Sequence, residues 1–471
     1  MKRVYCILIC YLSICASAND LIAQKNLSLS PLFSDHMVLQ QKTKTEFWGE
    51  SAPGEKIAVS TDWATNTTTT ANSSGKWRVR LKTPAAGGPY TIRISTRHTT
   101  LIVKDVLIGE VWLASGQSNM DIPLAGWPPG DTIENSRQEI SSANYQQIRF
   151  FKVPFKVAPK PLTTVSAKWD PISPQNAGTY SATAYFFARR LQQTLHVPVG
   201  IIQSSIGGTP IEAWTSKSYL QKSGDFNDAI GGLDSAKLNS NSPTVLFNAM
   251  ISPLIPYTIK GVIWYQGESN VGRAAQYKRL FPLMIQDWRN KWATELPFYF
   301  VQLAPYIYKD PKQSDQSQKL RDAQRYALHL PRTGMVTTLD IGYLKTAHPP
   351  YKREVGDRLA RFAFKYQYGI EQVASGPLYN KTKVTGNGLV VEFTSVGTGL
   401  CAAKTGLDNF EIAGADKVYI KANASLSGNR VIVSHPSVSK PVYVRYAWSD
   451  SSTATLFNKE GLPAATFTSE K

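Results

Sequence analysis

The stretch "GEVWLASGQSNM", residues 109 to 120, changes character halfway along its length. Its first half contains the apolar run from Val111 to Ala114, which predicts a buried β-strand. Its second half, from Ser115 to Asn119, is a cluster of small polar side chains. In open α/β sheets, ligands bind just beyond the carboxyl ends of the strands. The stretch therefore predicts a central strand and one corner of a site.

Further short apolar runs follow this strand, and helical patterns alternate with them. The runs are "VPVGIIQSS" at 197–205, "IKGVIWYQ" at 259–266, "PFYFVQLAP" at 297–305 and "GMVTTLDIG" at 334–342. The spacing of apolar residues predicts helices from an N-cap at Ser181 to Leu195, over 274–292 and over 353–365. Strands that alternate with helices predict an α/β fold with a doubly wound, mostly parallel sheet.

The two ends of the chain have a different pattern, in which apolar and polar residues alternate and Pro or Gly turns interrupt them. This pattern predicts a β domain over 27–105 and a β segment over 381–471, flanking a catalytic domain over 106–375. The two flanking segments are sandwich-like. They could close into one sandwich or form two small ones, and the pattern is compatible with both.

The first residues predict export. Lys2 and Arg3 precede an apolar stretch over 4–15, and the small residues "ASA" at 16–18 follow it. A charged start, a short apolar stretch and an A-x-A site are typical of a cleaved signal peptide, here residues 1–18. Cys401 is the one cysteine after this segment. The prediction is a secreted or periplasmic protein without an internal disulfide bond.

The formal net charge of +18 does not by itself indicate a nucleic-acid partner. The Lys and Arg residues are scattered along the chain, and no nucleic-acid-binding motif accompanies them. No segment after the signal peptide is apolar enough to span a bilayer. The sequence therefore predicts neither nucleic-acid binding nor membrane insertion.

Several predicted strands end in small, polar or ionisable residues that should gather at one edge of the sheet. Serine needs a base to act as a nucleophile, and His348 is the histidine predicted at the same edge as Ser118. The backbone N–H groups of Gly207 and Gly208 and the side-chain N–H of Gln266 could stabilise an oxyanion. The pattern indicates nucleophilic acyl transfer. Ser118 is not in a G-x-S-x-G elbow, because Met120 replaces the second glycine, and this argues against an α/β-hydrolase.

The chain resembles the sialate O-acetylesterases, a branch of the SGNH hydrolases. The resemblance rests on "GEVWLASGQSNM" at 109–120, "SSIGGTPIEAWTS" at 204–216, "WYQGESN" at 264–270 and "HPPYKREVGDRLA" at 348–360. It implies an SGNH-type sheet and an enzyme that removes acetyl groups from sugar hydroxyls, in the type case from sialic acid. It also implies that no metal or organic cofactor takes part.

By this resemblance, Ser118 is the nucleophile and His348 is the general base. The oxyanion hole would combine the Ser118 N–H, an N–H from the glycine pair and the Gln266 side chain. The resemblance places further residues around the hole or the substrate: Gln117, Asn119, Glu268 and Asn270.

One departure from the family pattern concerns the carboxylate that orients the catalytic histidine. The family usually has an Asp two or three residues before the His, whereas this chain has Thr346 and Lys345. Three alternatives follow. A backbone carbonyl could orient His348, Asp340 could be the third member, or the protein could be a weakened relative that only binds carbohydrate. The sugar is also open, because acetylated xylan or another glycan could replace sialic acid.

Overall fold

The computed structural model describes residues 26–234 and 236–470, so the predicted signal peptide lies outside the described residues. Eight strands cover the N-terminal part of the described chain. They are β1 Ser28–Leu29, β2 Val38–Gln40, β3 Lys44–Glu50, β4 Lys56–Thr61, β5 Asn66–Thr70, β6 Lys76–Lys82, β7 Gly87–Ser95 and β8 Thr100–Gly116.

The middle of the chain alternates strands with helices. The strands are β9 Tyr145–Lys152, β10 Trp169–Ile172, β11 Val199–Ser205, β12 Gly261–Tyr265, β13 Phe298–Val301 and β14 Thr333–Val336. The helices are α1 Ser118–Asp121, α2 Ser136–Ser141, α3 Ala182–Leu195, α4 Lys217–Ser223, α5 Asn227–Gly231, α6 Ala274–Trp292, α7 Ser317–Tyr326 and α8 Lys352–Gln367. Single helical turns occur at Ala177–Thr179, Ile211–Trp214, Phe247–Ile251, Ser252–Leu254, Glu268–Asn270 and Ala327–His329.

The central sheet has the strand order β10-β9-β11-β8-β12-β13-β14. Every neighbouring pair in this order is parallel except β10 with β9. From β8, the chain first builds the β9–β11 side of the sheet and then the β12–β14 side. Such a change of direction opens a crevice at the carboxyl ends of the strands. The predicted mostly parallel sheet is confirmed.

Helices cover both faces of this sheet. Trp112 of β8 contacts Phe187 of α3, with ring centroids 5.2 Å apart. Trp264 of β12 contacts Trp288 of α6, with centroids 5.7 Å apart. In the parallel register Trp112 lies beside Gly261, three residues before Trp264, and side chains alternate between faces along a strand. The two tryptophans therefore lie on opposite faces, which confirms the double winding.

The predicted helices form nearly where the apolar spacing placed them. The Oγ of Ser181 accepts a hydrogen bond from the N–H of Ala184 at 3.1 Å and so caps α3. Helix α6 has the predicted bounds, and α8 extends the predicted 353–365 by one residue before and two after. These helices pack through the apolar faces that the sequence pattern identified.

Strand β8 joins the N-terminal strands to the central sheet. Its first part pairs antiparallel with β7 and parallel with β2. Its second part pairs with β11 and β12. The predicted division at 105/106 falls inside this 17-residue strand, and the whole sheet has 11 strands.

The C-terminal part forms sheets of its own. Its strands are β15 Leu378–Thr385, β16 Gly388–Thr394, β17 Leu400–Ala402, β18 Phe410–Ala413, β19 Ile420–Lys421, β20 Asn423–Ser427, β21 Arg430–Ser434, β22 Tyr443–Tyr446, β23 Leu456–Asn458 and β24 Phe467–Thr468. They pair only among themselves and enclose a second hydrophobic core. The N-terminal and C-terminal strands therefore share no sheet in the described part of the chain.

The C-terminal sheets are fastened to α7 through a buried cation. Arg321 of α7 is fully buried, and its guanidinium donates to the Thr466 hydroxyl and to the carbonyls of Ala447 and Ser449.

Over the described ranges, the helices are too short or too polar to cross a bilayer.

Candidate active site

The carboxyl end of β8 turns sharply because of a glycine. Gly116 has φ +138°, and a Cβ at this position would lie 2.1 Å from the carbonyl oxygen of Tyr265. Only glycine allows β12 to approach so closely. The next residue, Gln117, donates its N–H to the Tyr265 carbonyl at 2.9 Å. Ser118 follows as the first residue of α1 and is 7% exposed.

The structure brings Ser118 and His348 together across 230 residues of sequence. The Oγ of Ser118 lies 2.8 Å from Nε2 of His348, within hydrogen-bond distance. His348 is in the loop between β14 and α8, at the same edge of the sheet as the end of β8. This geometry allows the imidazole to take the proton of the serine hydroxyl.

The other ring nitrogen of His348 is held by Asp131. Its Nδ1 lies 2.7 Å from Oδ2 of Asp131. The second carboxylate oxygen accepts a hydrogen bond from the Thr346 hydroxyl at 2.8 Å, and the same hydroxyl accepts one from the His348 N–H at 3.1 Å. Thr346 stands at one of the positions where the resemblance expects an Asp. Here it anchors a carboxylate that another loop supplies.

Asp340, which the sequence offers as a candidate third member of the triad, has a different partner. Its carboxylate forms two hydrogen bonds with the Arg358 guanidinium, one of them at 2.8 Å, and Arg358 also donates to the Thr337 carbonyl. This bidentate ion pair directs Asp340 toward α8 rather than toward His348. The structure therefore does not bring Asp340 to His348, and Nδ1 of His348 meets the Asp131 carboxylate rather than a backbone carbonyl.

Sequence reasoning missed Asp131. It lies 217 residues from His348, in the segment "GWPPGDT" at 126–132, which has the composition of a turn. The one available signal is an acidic residue in a Pro-Gly loop shortly after the Ser118 motif. That signal alone does not distinguish Asp131 from an ordinary solvent-exposed turn residue.

Gly207 lies beside the serine, and Gly208 follows it in the same loop. A Cβ on Gly207 would be 3.5 Å from the Cβ of Ser118, so this loop borders the nucleophile. Burial raises the pKa of Asp121, while hydrogen bonds from the Ser205 hydroxyl and the Gly207 N–H lower it. The loop that carries Gly207 therefore borders the serine, and the N–H groups of the glycine pair are the candidates for a second oxyanion donor.

The Gln266 side chain does not have a free N–H for an oxyanion. It is fully buried, and its Nε2 donates to the Asn270 side chain at 2.7 Å and to the Thr209 carbonyl at 3.2 Å. Its Oε1 accepts a hydrogen bond from the Tyr277 hydroxyl at 3.1 Å. Both donors of the amide are in use, so Gln266 holds the loop behind the glycine pair instead of pointing into the site.

Asn270 completes this support. Its Oδ1 also accepts the N–H of Ile211 at 3.0 Å, and its Nδ2 donates to Glu212 at 3.1 Å. Asn270 is fully buried. The segment that follows Gly208 is thereby attached to the turn after β12.

A second buried network lies under the serine–histidine pair. The Nζ of Lys352 donates to the Oδ1 of Asn119 at 2.6 Å and to the Pro349 carbonyl at 2.7 Å. The Ala347 carbonyl can only accept, so the amide Nδ2 of Asn119 faces it and donates to it at 2.8 Å, and Nδ2 also donates to Glu268. This network ties the residue after the serine to the residue before the histidine.

The charges in this network are strongly perturbed by burial. Burial lowers the pKa of Lys352 to about 7, although the negative charges of Glu268 and Asp131 favour its protonated form. Burial also raises the pKa of Glu268, against the hydrogen bond from Asn119 and the charges of His348 and Lys352. Gln117 joins the same region, since its Oε1 accepts the N–H of Gly267 at 3.2 Å.

The arrangement has the parts of a serine hydrolase: a nucleophile, a base within hydrogen-bond distance, and a carboxylate that orients the base. Within the described ranges, no group of His, Cys, Asp and Glu side chains is arranged to hold a metal ion. A nucleophile, a base and an orienting carboxylate are the side chains that acyl transfer through a serine requires.

Comparison with known proteins agrees with this chemistry. Residues 108–365 match the family model described as carbohydrate esterase, sialic acid-specific acetylesterase. The chain is 33% identical over 391 residues to the sialate O-acetylesterase of Homo sapiens, covering 74% of this chain and 73% of that protein. The corresponding mouse protein, from Mus musculus, is 33% identical over 426 residues, or 76% of each chain. A carbohydrate acetylesterase from Xanthomonas citri has a similar structure, with a TM-score of 0.86 and 39% identity over 94% of this chain and 100% of that chain.

Proposed function

Because the chain belongs to the family of sialic acid-specific carbohydrate acetylesterases, we propose that it removes O-acetyl groups from carbohydrates through an acyl-enzyme formed on Ser118. As a member of this family it is a carboxylic ester hydrolase. The observation that carries the mechanism is the continuous hydrogen-bonded series from Ser118 Oγ through His348 to Asp131.

In the acylation step, Ser118 Oγ attacks the carbonyl carbon of the acetyl ester. His348 Nε2 takes the serine proton as the new C–O bond forms, and the carbonyl oxygen becomes an oxyanion. The first N–H groups of a helix have no acceptor within the helix, so the Ser118 N–H is available to this oxyanion, and an N–H of the Gly207–Gly208 pair is the second donor. The imidazolium then protonates the sugar oxygen, the ester C–O bond breaks, and the sugar leaves.

In the deacylation step, a water molecule replaces the sugar. His348 takes a proton from the water as its oxygen bonds to the acetyl carbon, and it returns this proton to Ser118 when acetate leaves. Asp131 keeps the Nδ1–H tautomer in place and stabilises the imidazolium in both steps. The alternative of a non-catalytic relative loses its main support, because Asp131 takes the place of the missing carboxylate.

The remaining residues have positioning roles in this proposal. Gln266 and Asn270 hold the glycine loop against Ser118. Asn119, Glu268 and Lys352 fix the distance between the serine turn and the histidine loop. Such supporting hydrogen bonds keep the reacting groups aligned, which is needed for efficient catalysis.

We place O-acetylated sialic acid first among the substrates, because the matched family and the curated relatives carry that specificity in their names. Acetylated xylan or another neutral glycan is the alternative, and the carbohydrate acetylesterase from Xanthomonas citri leaves that alternative open. We also propose that the protein is exported, which rests on the signal-peptide pattern of residues 1–18.

The test is acetate release from O-acetylated sialic acid and from acetylated xylan, measured with the wild-type protein and with Ser118→Ala. We expect the variant to lose at least about a thousandfold in rate. Ser115→Ala is a matched control, because Ser115 is on β8 three residues before Ser118, is fully buried, and its hydroxyl has no hydrogen-bond partner. It should keep the wild-type rate. Equal rates for Ser118→Ala and wild type would exclude the proposed nucleophile.

A further inference from the structure

Trp127 is exposed beside the catalytic histidine. Its side chain is 37% exposed, whereas the other tryptophans of the described chain are buried or half-buried. The indole and the His348 ring meet edge to face, with centroids 5.6 Å apart and an angle of 79° between the planes. A large aromatic side chain left open to solvent next to a nucleophile is a common feature of ligand sites.

The backbone fixes this ring relative to the triad. The N–H of Trp127 donates to the Asp131 carbonyl at 2.7 Å, and the Asp131 N–H donates back to the Trp127 carbonyl at 3.1 Å. Gly126 has φ +74°, and a Cβ there would lie 2.4 Å from the Asp131 carbonyl oxygen. The short loop 127–131 therefore presents the indole and the carboxylate of Asp131 as one unit.

The proposed reaction requires the sugar to lie close to the indole of Trp127. His348 Nε2 must come within about 3 Å of the leaving oxygen in order to protonate it. That oxygen is bonded directly to a carbon of the sugar ring or of its side chain. The sugar therefore lies beside the imidazole, and Trp127 is the exposed aromatic side chain that contacts the imidazole.

Other exposed apolar side chains occur on the same edge of the sheet. Phe155 follows β9, Ile307 follows β13, and Tyr343 and Leu344 precede His348 in the loop after β14. All of them lie in loops that leave the carboxyl ends of strands. These side chains add apolar surface to the edge of the sheet that carries Ser118 and His348.

We propose that Trp127 is the platform for the sugar ring that carries the acetyl group. The C–H groups on one face of a pyranose are apolar and can lie against the indole, while the hydroxyls at the rim of the sugar stay in water. The chemical class is an acetylated pyranose, which includes sialic acid and neutral hexoses. This inference rests on the proposed esterase function and adds the residue that distinguishes a sugar from other acetylated alcohols.

The experiment compares sugar acetates with an acetate that has no ring. We would measure kcat/KM for O-acetylated sialic acid, for an acetylated hexopyranoside and for triacetin, an ester of acyclic glycerol. The ratio of sugar to triacetin should fall about tenfold or more in Trp127→Ala and remain within about threefold of wild type in Trp127→Phe. Tyr366→Ala is the control, because Tyr366 is 58% exposed near the far end of α8 and should leave the ratio unchanged.

A binding measurement separates this inference from the esterase proposal. Calorimetry with Ser118→Ala and with the double variant Ser118→Ala/Trp127→Ala reports affinity for the acetylated hexopyranoside and the acetylated sialic acid without turnover. Weaker binding of either sugar by the double variant supports the platform even if the wild-type protein is inactive. Equal affinities, or an equal loss of kcat/KM for sugars and triacetin, would mean that the indole only packs against His348 and would overturn the inference.

Discussion

Replacing Asp131 by Asn tests the assignment that sequence reasoning missed. The amide has nearly the same shape as the carboxylate, and it can still accept from Nδ1 of His348 and contact the Thr346 hydroxyl. The substitution therefore removes a negative charge while leaving the loop geometry in place. What is lost is stabilisation of the imidazolium that forms when Ser118 attacks.

The expected magnitude follows from the distance. The Asp131 oxygen lies 2.7 Å from Nδ1 of His348, and the two side chains are 22% and 23% exposed. With charge centres about 4 Å apart and an effective dielectric constant of about 20, the attraction is about 4 kcal/mol. This corresponds to a loss of about a thousandfold in kcat. A wrong histidine tautomer in the variant would increase the loss, to about ten-thousandfold in a serine protease.

The assay is acetate release under saturating substrate, with circular dichroism to show that the variant is folded. Asp340→Asn is the matched control, because it is the same chemical change at a carboxylate paired with Arg358. It should alter kcat by less than about threefold, since Asp340 does not contact the reacting groups. The reasoning fails if Asp131→Asn keeps more than about a tenth of wild-type kcat, or if Asp340→Asn loses as much.

Three further predictions concern stability. Burial lowers the pKa of Lys352 to about 7 from its usual 10.5. Between these two pH values the unfolded chain binds more protons at Lys352 than the folded chain does. The contribution of Lys352 to the free energy of unfolding therefore rises from pH 7 to pH 10.5. Urea unfolding of Lys352→Met and wild type should show this rise only in wild type, and parallel pH profiles would contradict it. Gly116→Ala should lower the free energy of unfolding in urea by about 2 kcal/mol or more, because the position has a positive φ and a Cβ would collide with the Tyr265 carbonyl. An unchanged urea midpoint would refute the close approach of the two strands. Asn270→Ala should lower the free energy of unfolding by about 2–4 kcal/mol, because Ile211, Glu212 and Gln266 each lose a hydrogen bond to the Asn270 amide. A loss below about 0.5 kcal/mol would show that these polar groups find other partners.

Local patterns were sufficient for much of the fold. Helix α3 could be predicted because its cap at Ser181 and its apolar face are both encoded within a few turns. The strand ends could be predicted because buried runs stop at polar residues. The pairing of β8 with β2 and β7 could not, because strand pairing depends on side chains that are distant in sequence and alternating patterns do not name their partners.

In the candidate site, too, some features could be predicted from local sequence and others could not. The proximity of Ser118 and His348 could be predicted from residue type and position near strand ends. Asp131 could not, since a carboxylate in a Pro-Gly turn becomes a triad member only when a loop 217 residues away folds against it. Gln266 was found, but the direction of its amide depends on Asn270 and Thr209, which accept its hydrogen bonds in the folded chain. Sequence patterns locate chemical groups more readily than they orient them.

The continuity of β8 limits how this protein can be recombined with others. At about 3.3 Å per residue, the 17-residue strand is about 55 Å long, and it runs from the N-terminal strands to the turn that carries Ser118. The region that the family model matches begins at residue 108, inside this strand. A chimera joined at that residue would separate the nucleophile from the β2 and β7 pairings that hold its strand. A transferable catalytic unit therefore has to include β2 and β7, and these N-terminal strands should be inherited together with the proposed active site.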